Sequence, residues 1–343
     1  MKRLLNTLFI ATEGAYVAKE GESLAVRIDD RPPTRIPIAG LESVVCLGRV
    51  SHSPHALAHC AENGVALTHL TASGRFLARL EGATSGSVLV RRTQYRKADD
   101  PVASADLARA FLTGKIANAR LVMRRAAREA SGKANAPHLT EAVERLDGLL
   151  GRLPRETTVD ALRGLEGEAA RTYWAAFPAL LGGGDQGLSF TGRTRRPPLD
   201  PVNALLSFLY TLLAHDIRAA LEATGLDSQV GYLHRDRPGR PGLALDMMEE
   251  FRTVLADRLA LTLVNRGQVR KEGFRTEEGG AVTMTDATRR TVIEAWQERK
   301  RDERRHPYLD EVVPIGLFWH LQALLFKRHL RGDLDGYPPC LWR

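Results

Sequence analysis

The chain has 343 residues, 43% hydrophobic and 26% charged, a globular composition whose length suggests two domains. Its three cysteines, Cys46, Cys60 and Cys340, are widely spaced and odd in number, which excludes a disulfide framework or a zinc ribbon and points to a reducing cytoplasm; no segment approaches the length of a membrane span. The net charge of +8 is clustered, at Arg91, Arg92, Arg96 and Lys97, at Arg193, Arg195 and Arg196, and at Arg299, Lys300, Arg301, Arg304 and Arg305, and such patches suit a phosphate backbone without implying a sequence preference.

Residues 1–90 read as a small β-sheet domain. The opening MKRLLNTLFIATEG starts basic and apolar, but Asn6 and Thr7 break the run and Glu13 ends it, so it reads as a first strand rather than a leader. Short alternating runs at 4–10, 15–17, 24–28, 35–38 and 43–46 are separated by Gly, Asp and Pro turns. Residues 55–63 read as one helix, and 65–70 and 76–80 pair across a tight turn at Ser73-Gly74. His52, His55, His59 and Cys60 are a candidate metal cluster, because His55 and His59 are four apart on that helix. Ala56, Leu57 and Ala58 lie between them, and no second CxxC or acidic ligand is near. Packing of the helix on the sheet is therefore the preferred reading.

Residues 91–100 read as a polar, basic linker, and 101–343 as a larger all-α helical domain with a C-terminal tail, so the chain is α+β. Asp100-Pro101 is an N-cap and first-turn pair that opens a helix to about Ala130, bearing Arg120, Arg124, Arg125 and Arg128. A second helix covers 139–150. Thr157-x-x-Asp160 opens a third by an acidic variant of the capping box. On it Leu162, Leu165, Ala169, Thr172 and Ala176 form an apolar stripe, with Glu166 beside it between Gly164 and Gly167. Glycines inside a helix cost about 1 kcal/mol each against alanine, which predicts close approach of another backbone or a ligand, or else a packing notch with Glu166 in solvent.

Residues 182–198 are a Gly- and Arg-rich loop without the Gly-Lys-Ser/Thr of a P-loop, read as a mobile DNA-facing loop or linker. Asp200-Pro201 caps an apolar helix that ends at Gly225. Then comes GYLHRDRPGRPGLALDMMEEFR, residues 231–252: one histidine, His234, at the lip of a loop of arginines, prolines and glycines, then a helical pattern with Asp246, Glu249 and Glu250. Spacings of three and four put these carboxylates on one side of a helix. A charged helix face is usually solvated, but Leu243, Met247, Met248, Phe251, Val254 and Leu255 wrap most of this helix, which predicts burial. Buried, clustered carboxylates need a cation, and Mg²⁺ or Mn²⁺ fits oxygen ligands, Mn²⁺ also accepting imidazole. A hairpin about Gly279-Gly280, a helix from Thr285-Asp286, a last helix over 314–330 and an extended tail complete the chain.

Two of these stretches, RGLEGEAARTYW and the His-loop-helix segment, resemble the CRISPR-associated integrase/endonuclease family of spacer acquisition. The order of a small β domain and a larger helical one also fits that family. The resemblance implies a divalent metal held by Glu166, His234 and Glu249, with Asp246 and Glu250 in support. Several relatives have Asp where this chain has Glu249, which leaves open whether Glu249 or Glu250 ligates. Helical phase puts them about 60° and about 40° from Asp246, which favours neither, so the motif assigns Glu249. The implied reaction is transesterification, in which a DNA 3′-hydroxyl attacks a phosphodiester of the CRISPR repeat. Arg235, Arg237 and Arg240 are expected phosphate clamps, Arg193, Arg195 and Arg196 further DNA contacts, and Tyr173 lies at the site or in the core. Implied partners are double-stranded and branched DNA, a second copy of the chain joined through the β domain, and a small second subunit, with residues 337–343 as a docking peptide and no membrane. The alternatives are a structure-selective DNA nuclease with water as nucleophile, and a non-catalytic nucleic-acid-binding protein.

Overall fold

The computed structural model describes residues 7–28, 31–41, 43–71, 76–80, 82, 88–132, 135–182, 188 and 190–343. The turn expected at Ser73-Gly74 and residues 4–6 of the first strand lie outside them. Eight strands come first: β1 (Thr7–Ile10), β2 (Tyr16–Glu20), β3 (Ser23–Arg27), β4 (Thr34–Pro37), β5 (Ser43–Leu47), β6 (Ser51–His52), β7 (Ala66–Leu70) and β8 (Phe76–Leu80), with helix α1 (Pro54–Glu62) between β6 and β7. They form two four-stranded sheets, in the orders β1-β5-β7-β8 and β4-β3-β2-β6. In the first, β5 runs parallel to both β1 and β7, while β8 returns antiparallel to β7.

Strand β5 shows how the two parts of the molecule join. All five of its residues are buried, and successive side chains of a strand face opposite ways. Val44 and Cys46 enter a core shared by both sheets and α1, with Val17, Leu24, Ala56 and Leu67. Val45 and Leu47 turn the other way, into the main helical core. A strand covered on both faces reads as a continuous apolar run, and SVVCL is one.

The helical part comprises α2 (Val88–Asp99), α3 (Pro101–Glu129), α4 (Ala136–Arg152), α5 (Val159–Ala176), α6 (Pro201–Ala223), α7 (Gly242–Met248), α8 (Arg258–Asn265), α9 (Asp286–Arg301) and α10 (Phe318–Arg331). Two short hairpins interrupt it: β9 (Phe274–Thr276) with β10 (Val282–Met284), and β11 (Glu303–Arg305) with β12 (Val312–Pro314). Asp100, Asp200 and Thr285 cap α3, α6 and α9 with side-chain hydrogen bonds, as their sequence positions predict. The cap of α5 is Thr158, which accepts from the N–H of Ala161, rather than Thr157.

The stretch expected as a linker, 91–100, is helical over 91–99, in α2. Its buried Gln94 donates to the carbonyl of Asp227 (2.7 Å) and accepts from the Asp227 N–H (3.0 Å), fastening α2 to the loop that leads to His234. Helix α6, by length and composition alone, could cross a membrane; 72% of its apolar window is buried inside the protein, as befits a core helix.

Candidate active site

The His234 loop is closed at its base by two glycines. The Gly242 N–H donates to the carbonyl of Gln229 at 3.0 Å. A Cβ on Gly231 would lie 2.7 Å from the Gly242 carbonyl carbon, and one on Gly242 would lie 2.6 Å from the Gln229 oxygen. Only glycine allows the backbones to cross this closely. Asp246, fully buried on α7, reaches into the loop. Its carboxylate accepts from the backbone N–H groups of Tyr232 (2.6 Å), Leu233 (3.0 Å) and His234 (3.0 Å), and lies 2.6 Å from Nδ1 of the His234 ring. A carboxylate on Nδ1 fixes the tautomer and leaves the Nε2 lone pair to face outward. Arg163 on α5 donates to the Leu233 carbonyl at 2.7 Å, and Arg235 pairs with Asp160 at 2.7 Å, so α5 is tied to the same loop.

Helix α7 stops at Met248, and a π-helical turn (Arg252–Asp257) precedes α8. Such turns re-aim side chains and recur at functional sites. The result contradicts the expectation of one acidic helix face: the three carboxylates part company. Asp246 holds the His234 loop. Glu249, 3% exposed, accepts from Arg252 Nη1 at 2.5 Å and places Oε2 3.0 Å from Lys115 Nζ. Glu250 faces away from both, toward the C-terminal tail, where it accepts from the Tyr337 hydroxyl (2.7 Å), the Cys340 N–H (2.7 Å) and Gln322 (3.1 Å). Burial pushes the Glu250 carboxyl up to about 8, only partly offset by these donors. Burial pushes Glu249 up as well, but the charges of Arg252 and Lys115 outweigh it and hold that carboxyl well below the usual range.

Lys115, on α3, is the residue the sequence reading missed. Its ammonium donates to Glu166 Oε1 while also contacting Glu249. Glu166 and Glu249 are thus brought to one positive charge, while His234 is held by Asp246 on the loop that Arg163 ties to α5. A signal was available. Lys115 lies four residues from Phe111 and from Ala119, both buried, so a charge sits in the apolar stripe of α3. One turn on, Asn118 donates to the carbonyls of Glu250 (2.7 Å) and Cys340 (2.8 Å) and accepts from the Trp342 N–H (2.8 Å). Gly114 lets Glu250 pass, since a Cβ there would meet its Cγ at 2.9 Å. The tail is therefore packed: Tyr337 and Cys340 are buried and are not free for docking.

Beside Glu249 a cavity opens, lined by Lys115, Tyr173, Arg195, Tyr210, Arg252 and Asp257, among others. Asp257 accepts from the Tyr173 hydroxyl (2.9 Å) and the Tyr210 hydroxyl (2.5 Å), and Arg252 lies over the Tyr210 ring, 4.3 Å from its centroid. Tyr173 is thus buried and also lines the cavity.

The other expected positions divide. Arg195, Arg196, Arg235 and Arg237 are exposed, and Arg240 is half-buried. Arg193 is engaged internally, donating to Asn203 (2.7 Å) and Ser207 (3.1 Å), and Lys300 is buried against Asp216 (3.0 Å). No backbone approaches Gly164 or Gly167; a Cβ on the former would meet open space. His55 and His59 do not join His52: His59 bonds Asn63, while His52 lies against Cys46.

Two carboxylates meet where a monovalent cation already sits, and together with an imidazole nitrogen they would make the donor set of a divalent ion such as Mg²⁺ or Mn²⁺. The family described as "CRISPR associated protein Cas1" matches residues 8–298. The chain is 51% identical, over the full length of both, to "CRISPR-associated endonuclease Cas1 1" of Chlorobaculum tepidum. Among solved structures it is similar in fold to a "Casposase bound to integration product", with TM-score 0.83 at 18% identity over 98% of this chain and 94% of that one. It is also similar to a chain of a "Cas6-RT-Cas1--Cas2 complex", with TM-score 0.83 at 24% identity over 98% of this chain and 36% of that one.

Proposed function

The chain belongs to the Cas1 family of CRISPR-associated proteins, and from that premise we propose that it is a metal-dependent DNA endonuclease and integrase that joins 3′-hydroxyl ends of DNA fragments to a CRISPR repeat by transesterification. The observation that carries the reading is the convergence of Glu166 and Glu249 on one cation, Lys115; the His234 ring, bound at Nδ1 by Asp246, keeps Nε2 for a metal. Glu166, His234 Nε2 and Glu249 would hold Mg²⁺ or Mn²⁺. When bound, such an ion lowers the pKa of the attacking hydroxyl and polarises the phosphoryl oxygen.

The chain's own residues do the rest. Asp246 orients the His234 ring. Arg252 and Lys115 keep Glu249 ionised despite its burial. Lys115, released from the carboxylates, presents its ammonium to a phosphate oxygen. Arg195, Arg237 and Arg240 bind backbone phosphates by charge and forked hydrogen bonds. In this reading residues 1–90 carry the contact between two copies, residues 101–343 carry the chemistry, and the partners are double-stranded or branched DNA and a small second subunit. The resemblance to a chain of a Cas1–Cas2 complex supports the last of these, and three buried free cysteines suit a reducing cytoplasm.

A second reading is favoured by the word endonuclease in the relatives' names: the same site with water as nucleophile. One experiment separates the two. A 3′-hydroxyl strand labelled at its 5′ end is incubated with repeat DNA and Mn²⁺, with and without chelator. Transfer of label to the repeat strand, abolished by chelator, is the expected result. Chelator-sensitive cutting without joining would leave the nuclease alone, and joining indifferent to chelator would overturn the metal.

A further inference from the structure

The N-terminal sheets contain a second convergence of ligand-type side chains, unrelated to the active site. Cys46 and His69 are register partners on the adjacent parallel strands β5 and β7. His52 comes from β6, in the other sheet, where it pairs with Val17 of β2. The Cys46 sulfur lies 3.4 Å from His52 Nε2. The His52 and His69 rings meet edge to face with centroids 4.7 Å apart. One ligand atom from each of the three residues lies within 4.8 Å of the other two. Among the described residues neither histidine pairs with a carboxylate, so nothing holds a proton on either ring.

We propose that Cys46, His52 and His69 bind one thiophilic divalent cation, zinc by its donor set, which clips the two N-terminal sheets together. One thiolate and two neutral imidazoles are the ligands zinc takes in tetrahedral sites. Mg²⁺ prefers oxygen and has no claim on them, so the two sites sort their ions by hardness. Both histidines are half-buried rather than fully enclosed, so water could supply a fourth ligand. Burial, with His69 adding to it, presses His52 down to about 4, so its ring is neutral and able to ligate at physiological pH. Burial, with Cys60 adding to it, raises the Cys46 thiol to about 12; the incoming ion displaces that proton to solvent, and binding strengthens as pH rises. The plain alternative is a thiol–imidazole contact in a packed core. It accounts for the Cys46–His52 pair but gives no reason for a second bare imidazole from another strand.

Cobalt separates the two. The full-length protein is purified under reducing conditions, stripped with chelator and titrated with Co²⁺. One equivalent should give the visible bands of tetrahedral cobalt with a near-ultraviolet thiolate charge-transfer band. Both should vanish in Cys46→Ser and persist in Glu166→Gln, whose lesion lies in the other site. Zinc should raise the thermal midpoint of Glu166→Gln but not of the same variant carrying His69→Asn as well, a readout that survives should Cys46→Ser fold poorly. Absence of the charge-transfer band in the wild type, or its persistence in Cys46→Ser, would overturn the proposal.

Discussion

Lys115 touches the two carboxylates that a divalent ion would need, so ion and ammonium compete for them. Lys115→Met should therefore lower the Mn²⁺ dissociation constant roughly tenfold, about 1.4 kcal/mol, while slowing strand joining because a phosphate contact is lost. Calorimetric titration checks the first and the joining assay the second; unchanged Mn²⁺ affinity would make Lys115 an ordinary salt-bridge residue. Glu249 and Glu250 are adjacent in sequence and opposite in environment. Glu250, pushed up to about 8, is largely protonated at neutral pH and serves as a link to the tail. Glu250→Gln should accordingly retain strand joining, whereas Glu249→Gln should abolish it with DNA affinity nearly intact, as should Glu166→Ala and His234→Ala. Asp246→Asn removes the anion that orients His234, and a loss of about 10- to 100-fold in metal affinity is expected by analogy with other groups that orient ligating histidines.

Among the elements, α3 does more than span the helical part. Through Gly114, Lys115 and Asn118 it meets Glu250, Glu249 with Glu166, and the tail in turn. Asn118→Ala would delete three buried hydrogen bonds and strand two carbonyls and an N–H. A cost of about 2–4 kcal/mol is expected, read as a lower denaturant midpoint. Much of the fold was legible locally. Short apolar runs bounded by turn residues marked β3, β5 and β7, and Asp100, Asp200 and Thr285 announced their helices because capping is a local hydrogen bond. What escaped depended on distant partners. Helix α2 is polar enough to read as a linker, and its anchoring by Gln94 to residue 227 is invisible from composition. The break after Met248 and the π turn followed by α8 are hidden from a pattern of 3.6 residues per turn throughout, which places the three acids on one face. The tail reads as a free extended strand until Glu250 and Asn118 are seen to hold it. Of the proposed site, the two motifs singled out Glu166 and Glu249, which meet at Lys115, and His234, which Asp246 holds. Lys115 lay outside both, and a lone lysine among arginines drew no notice.

Across the whole molecule, β5 joins the two cores and α6 lies deep in the larger one, which makes α6 sensitive to charge. His215, on α6, is 7% exposed, and its Nε2 has no hydrogen-bond partner among the described residues. Burial depresses its pKa from 6.5 to about 4. A depressed folded value means that the stability it contributes is present above pH 6.5 and is lost as pH falls through 4. The full loss is about 3 kcal/mol. His215→Leu should narrow the gap between denaturant stabilities at pH 7 and pH 4 by about that amount; an unchanged gap would show that other groups set the acid limit. The central claim concerns the joint made where α3, α5 and the His234 loop meet. Crystals soaked in Mn²⁺ and measured at the manganese edge test it most directly. A single anomalous peak bounded by Glu166, His234 Nε2 and Glu249, with the Lys115 ammonium moved aside, is the predicted result. A map with no peak there, or with Lys115 still bridging both carboxylates while manganese lies elsewhere, would contradict it.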